Sequence, residues 1–163
     1  MKKTTTPRGI SFAIDRELII EASWPGCTIH SAKSAIPKPR TMRSGRYEFY
    51  LSTTSTGRNE VLSGYDFMAR ARDIGKVALF YHAMMLRSFE DSIEEFKPYK
   101  LLFFGTLWNA KTPVELADLY GTDRTGVMYS YFEPTTGSWL YSVQWLGNML
   151  DTSYRSVHVN FTP

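Results

Sequence analysis

Apolar positions along this chain fall mostly into short runs broken by turn-forming residues, with one long stretch at helical spacing. Runs at 10–14 and 18–22 flank Asp15-Arg16-Glu17 and predict the two strands of a hairpin, closed by the turn signal Trp24-Pro25-Gly26. The alternating, aromatic stretch 47–51 predicts another strand, and 52–57 a polar connection. Phe67, Ala71, Ile74, Ala78, Tyr81, Met85 and Phe89 recur at steps of three and four, which is one face of an α-helix. Ser63 is the expected N-cap, and Asp66 falls in the first turn, where the positive end of the helix dipole favours an acid. Gly75 interrupts the stripe at a cost of about 1 kcal/mol relative to Ala. A shorter helix followed by a strand over 77–86 is the alternative. One continuous helix is favoured because the stripe keeps its phase across the glycine.

The second half reads as strands around one more helix. Glu90, Asp91, Glu94 and Glu95 form an acidic cluster that ends at Lys97-Pro98, and 101–107 reads as a buried strand. Thr112-Pro113-Val114-Glu115 is a capping box with proline at the first helical position, so a helix is expected to Tyr120, stopped by Gly121. Runs 127–132 and 139–146 predict a hairpin around 133–138. Val127, Tyr129 and Tyr131 are expected on the same face as Trp139, Tyr141, Val143 and Trp145. Met128, Ser130 and Phe132 would share the other with Leu140, Ser142, Gln144 and Leu146. Val157, Val159 and Phe161 alternate with polar residues and predict a final strand. The expected fold class is α+β, an antiparallel sheet of about six strands with two helices packed on one face. Residues 1–9 are expected to be a flexible tail, and 10–163 a single globular domain.

Composition adds bounds. A chain of 163 residues, 43% apolar and 21% charged, has the make-up of an ordinary globular domain. A net charge of +3 is too mild to imply a polyanion partner by itself, so any such argument rests on clustering. Cys27 is the lone cysteine, which rules out an internal disulfide and fits a reducing compartment. The basic N-terminus is followed by an apolar run that Asp15 ends too early for a signal peptide. The stretch 77–86 is too short to span a bilayer. A cytoplasmic location without membrane association is expected.

The clustering lies at 22–47. This stretch contains no Asp or Glu, carries Lys33, Lys38, Arg40, Arg43 and Arg46, and is punctuated by Pro25, Pro37 and Pro39. Such a segment suits phosphate contacts, each adding salt-dependent affinity through counterion release. A solvated charged loop is the plainer reading of the same residues. Arg58 and Arg124 are further candidates for the same surface, and Arg70, Arg72 and Lys76 would widen it if they faced the same way. Tyr129, Tyr131, Trp139, Tyr141 and Trp145 would offer bases a stacking platform if exposed, although aromatic strand faces are more often core.

The segment 114–127 resembles a helix-turn-helix, with Ala117, Gly121 and Val127 at the spacing of its small residue, turn glycine and buried aliphatic. The resemblance implies a recognition helix opening at Thr122-Asp123-Arg124-Thr125. Gly126 within that helix and the strand-favouring run 128–132 count against it, and the hairpin excludes it. Cys27 and His30 have the spacing of a metal-ligand pair but lack two more ligands nearby. Cys27 has no base beside it in sequence, Glu94 and Glu95 would diverge on a helix, and Gly57-Arg58-Asn59 is not a phosphate loop. No catalytic residue, metal site or cofactor is therefore expected. The leading expectation is a non-enzymatic nucleic-acid-binding accessory protein. A protein-binding inhibitor or immunity-type module acting through charged loops is the alternative. An enzyme whose site is assembled from scattered residues is the third.

Overall fold

In the computed structural model, the structure describes residues 10–14, 18–19, 28–29, 41–54, 59–78, 82–83, 94–111 and 123–163. Its strands are β1 (Ile10–Ile14), β2 (Leu18–Ile19), β3 (Thr28–Ile29), β4 (Thr41–Met42), β5 (Gly45–Ser52), β6 (Leu62–Ser63), β7 (Lys100–Lys111), β8 (Asp123–Glu133), β9 (Ser138–Trp145), β10 (Met149–Leu150) and β11 (Tyr154–Thr162). The helix α1 (Gly64–Ile74) and a 3-10 turn at Glu94–Phe96 complete the named elements, and His82 and Ala83 are also helical. The fold is mixed α and β, dominated by sheet.

The main sheet runs β1-β5-β11-β7-β8-β9, with β3 also paired to β7. It is mixed rather than antiparallel, because β11 lies parallel to β7, with Tyr154 opposite Lys100 and Ser156 opposite Leu102. The expected hairpin of β1 with β2 is replaced by a longer ribbon. β1 pairs with β5 and β2 with β4, so both early strands lie along residues 41–49. On β5 the alternation sorts the faces, with Tyr47, Phe49 and Leu51 buried and Arg46 and Glu48 exposed.

The helix also departs from expectation. Ser63 caps it, its Oγ accepting from the Asp66 amide at 3.1 Å, but α1 stops at Ile74 with Gly75 as its C-cap. Residues 76–78 then enter the sheet. Val77 bridges to His158, the Val159 amide donates to the Lys76 carbonyl at 2.9 Å, and the Ala78 amide donates to the Val157 carbonyl at 2.8 Å. Sheet bonds satisfy this backbone in place of another helical turn. The buried stripe serves two structures in succession: Phe67 and Ala71 on the helix, then Ala78 between strands, while Ile74 is 48% exposed. Tyr81, Met85 and Phe89 lie outside the described residues, as do the tail 1–9 and the expected helix 113–120.

A bulge in β7 makes room for this insertion. Between the Leu102–Tyr129 and Leu107–Val127 pairs, β7 advances five residues against two on β8. Within the bulge the Gly105 amide donates to the Ala78 carbonyl at 2.9 Å. α1 packs on one face, where Phe67 and Ala71 meet Leu102, Phe104, Val127 and Tyr154. His82 packs on the opposite face, its ring 5.7 Å from that of Tyr47 and 5.5 Å from that of Phe49. The chain thus crosses from one side of the sheet to the other at 76–78.

The β8–β9 hairpin forms as expected, but its faces differ. Its pairs include Glu133–Ser138, Tyr131–Leu140 and Tyr129–Ser142, so Tyr129 and Tyr131 lie on the face opposite Trp139, Tyr141 and Trp145. An even number of loop residues sets odd positions against even ones, which divides the aromatic platform between two faces. The helix-turn-helix is excluded, because Asp123 to Val127 form strand where a recognition helix would begin.

Candidate nucleic-acid interface

Of the seven predicted contact residues, Lys33, Lys38, Arg40 and Arg58 lie outside the described residues. Arg43, Arg46 and Arg124 are described. The C-terminal part of the basic stretch is fixed in the ribbon, where Thr41 and Met42 pair with Ile19 and Leu18. Arg43 and Ser44 follow as the short link between β4 and β5, and both are exposed. The Tyr47 hydroxyl donates to the Arg43 carbonyl at 3.0 Å and fixes this link to the sheet. Burial raises the Tyr47 pKa above its ordinary value, against the lowering influence of that bond and of the Arg43 charge, so the phenol stays protonated as the donor.

Beside this link lies an open cleft of about 350 Å³, lined among the described residues by Arg43, Ser44, Phe161 and Pro163. Phe161 is half-buried, and its ring rests 4.8 Å from that of Tyr47. An arginine and an aromatic residue lining one cleft are groups suited to a backbone phosphate and to stacking with an unpaired base. Arg46 stands on the neighbouring turn of the pleat, exposed on the α1 face, with Glu48 two residues along the same face.

Topology brings several of these groups to one end of the sheet. β5 begins there, β7 and β11 end there, and Arg124 lies near the start of β8. Arg124 is on the face opposite α1, its guanidinium 4.4 Å from the centre of the Trp145 ring. That is also the face of Phe161 and Tyr47, but β7 and the short β3 lie between Phe161 and the Arg124–Trp145 pair.

Arg70 and Arg72, both candidates for widening the basic surface, are engaged elsewhere. Arg70 pairs with Glu60 at 2.9 Å and donates to the Thr54 carbonyl at 3.0 Å. Arg72 donates to the Phe104 carbonyl at 3.2 Å. Nothing local in the sequence marks Phe161 for the cleft, because it comes beside the β4–β5 link only through pairing of β5 with β11. Its alternation with Val157 and Val159 signals a strand end and nothing more.

No family model, curated protein or solved structure matches this chain. Among the described residues, no helix is long and apolar enough to cross a membrane, and no three His, Cys, Asp or Glu side chains gather as a metal site.

Proposed function

We propose that this chain is a nucleic-acid-binding accessory protein that holds a phosphate with Arg43 and stacks an unpaired base on Phe161, with Arg46 meeting the backbone from the other face of the sheet end. The reading rests on the cleft that Arg43 shares with Phe161, at the end of the acid-free stretch 22–47. Lys33, Lys38 and Arg40 belong to the same stretch of sequence and add to its positive charge, whereas Arg124 serves as a separate anchor beside Trp145. The mild net charge of +3 makes binding depend on this local cluster rather than on the field of the whole protein.

Fluorescence anisotropy with labelled single- and double-stranded DNA and RNA across a salt series tests it. Binding is expected to weaken steeply with salt. Arg43→Ala with Arg46→Ala should make the log–log salt dependence shallower, by about one in slope for each phosphate that is no longer neutralised. Phe161→Leu keeps an apolar side chain but removes the ring, so it weakens single-stranded binding more than double-stranded. Flat anisotropy at low salt for all four ligands overturns the proposal, and the charged loops then point to a protein partner.

A further inference from the structure

On the α1 face, far along β5 from the cleft, lies a second polar centre. Ser52 stands opposite Ser156, and Tyr50 opposite His158, in the antiparallel pairing of β5 with β11. The Ser52 Oγ is 2.6 Å from His158 Nε2. His158 is fully buried, and the Tyr50 ring stacks on it with centroids 5.1 Å apart and planes 16° from parallel. Gly75, at the end of α1, closes the other side. A Cβ there would stand 2.8 Å from the Tyr50 hydroxyl and 3.7 Å from His158 Nδ1, so any larger residue would displace the end of the Tyr50 side chain.

This surrounding fixes the state of the imidazole. Burial lowers the His158 pKa below its ordinary value, and the Gly75 backbone only partly opposes that, so the ring is neutral near neutral pH. Nδ1 has no partner in full hydrogen-bond geometry among the described residues, yet the Gly75 backbone beside it favours a proton there. Nε2 is then the acceptor and the Ser52 hydroxyl the donor. Ser52 is half-buried and so still reaches solvent, whereas its base does not.

Two more buried hydroxyls lie on β11 and just past the end of β5. Ser156 Oγ, directly across from Ser52, and Thr54 Oγ1, two residues further along the chain, have no hydrogen-bond partner among the described residues. Native proteins leave few such groups unpaired, and a catalytic role is one of the reasons that one is retained.

We propose that Ser52 is a nucleophile for acyl transfer from small activated esters, with His158 as its general base and Tyr50 and Gly75 as positioning residues. The Ser52 Oγ bonds to the ester carbonyl carbon while its proton passes to His158 Nε2. The bond from that carbon to the leaving oxygen then breaks, and the departing alkoxide takes the proton. Water, giving its proton to the same Nε2, attacks the acyl carbon, and Ser52 leaves and regains its proton. The unpartnered Ser156 hydroxyl is the donor that the arrangement offers to the developing oxyanion.

The test uses the full chain with an alkyl fluorophosphonate, which forms an Oγ–P bond as the P–F bond breaks and the proton leaves with fluoride. Intact-mass analysis is expected to show a single adduct, mapped by peptide mass to Ser52 and absent from Ser52→Ala. His158→Gln, with its circular dichroism unchanged, slows labelling by about a hundredfold or more. The wild-type protein provides a readout that needs no variant to fold: labelling at Ser52 must disappear in urea. No adduct at Ser52, or an adduct that forms equally fast in the unfolded chain, overturns the proposal and leaves the Ser52–His158 bond as a packing contact. This outcome is independent of nucleic-acid binding at Arg43.

Discussion

His82 shows how one side chain sets the pH response of the whole fold. Burial, and secondarily the charge of Lys76, pull its pKa from 6.5 down to about 3. Below pH 6.5 the unfolded chain takes up a proton that the folded chain refuses, so stability is complete above that value and is lost as pH falls toward 3. The steep part of this loss amounts to about 1.4 kcal/mol per pH unit. His158 acts with the same sign. The carboxyls of Glu133 and Asp151 are also held low, by bonds from Thr135 and Ser153, but they contribute below the ordinary carboxylate values of 4.5 and 3.8. Thermal melts between about pH 6.5 and pH 4.5 should therefore report the histidines, with Tm falling steadily and His82→Leu flattening the slope. A Tm independent of pH across that window would mean that His82 is charged in the folded protein. Gly64 carries a second residue-scale prediction. A Cβ there would lie 2.7 Å from the backbone of Leu146, which has no flexible end to move aside. Gly64→Ala should cost about 2 kcal/mol by urea unfolding. Gly147→Ala, with nothing within 4 Å of its Cβ, serves as the near-neutral control.

At the scale of elements, α1 is held at its start by Ser63, whose Oγ both accepts from the Asp66 amide and donates to its carboxylate at 2.7 Å. Ser63→Ala should cost about 1 kcal/mol, measured by the same urea titration. That cap was legible in the sequence because capping joins near neighbours. So were the strands near 47–51, 101–107 and 157–161 and the β8–β9 hairpin, each marked by alternation or a local turn signal. The end of α1 was not, because a buried stripe at three and four spacing is satisfied equally by Ala71 on a helix and by Ala78 wedged between strands. What decides is pairing with a distant strand, the Lys76 carbonyl and Ala78 amide bonding to β11 instead of to a further helical turn. The same limit governed the candidate sites. A run of Lys and Arg without acid can be read from composition alone. The Ser52–His158 bond joins residues 106 apart in sequence, and no local pattern marks it.

Across the whole molecule, the order of strands differs from their order in the chain. β11 holds the sheet together, lying antiparallel to β5 on one edge and parallel to β7 on the other, with residues 76–78 continuing that second edge. Removing residues 154–163 would leave Phe49, Leu51 and Leu102 without the strand that covers the gap between them. Such a variant is expected to lose cooperative urea unfolding altogether, and a cooperative transition in it would refute the central role of β11. The same centrality bears on both candidate sites, since Phe161 and His158 belong to this strand.

During synthesis, β5 leaves the ribosome roughly ten seconds before β11 at ordinary elongation rates. For that interval one edge of β5 is a row of unpaired amides and carbonyls beside the apolar side chains of Tyr47, Phe49 and Leu51, the kind of edge that recruits other chains. The exposed Arg46 and Glu48 on the opposite face of this strand then act as gatekeepers, their charges keeping a nascent chain apart from its neighbours until its own last strand arrives.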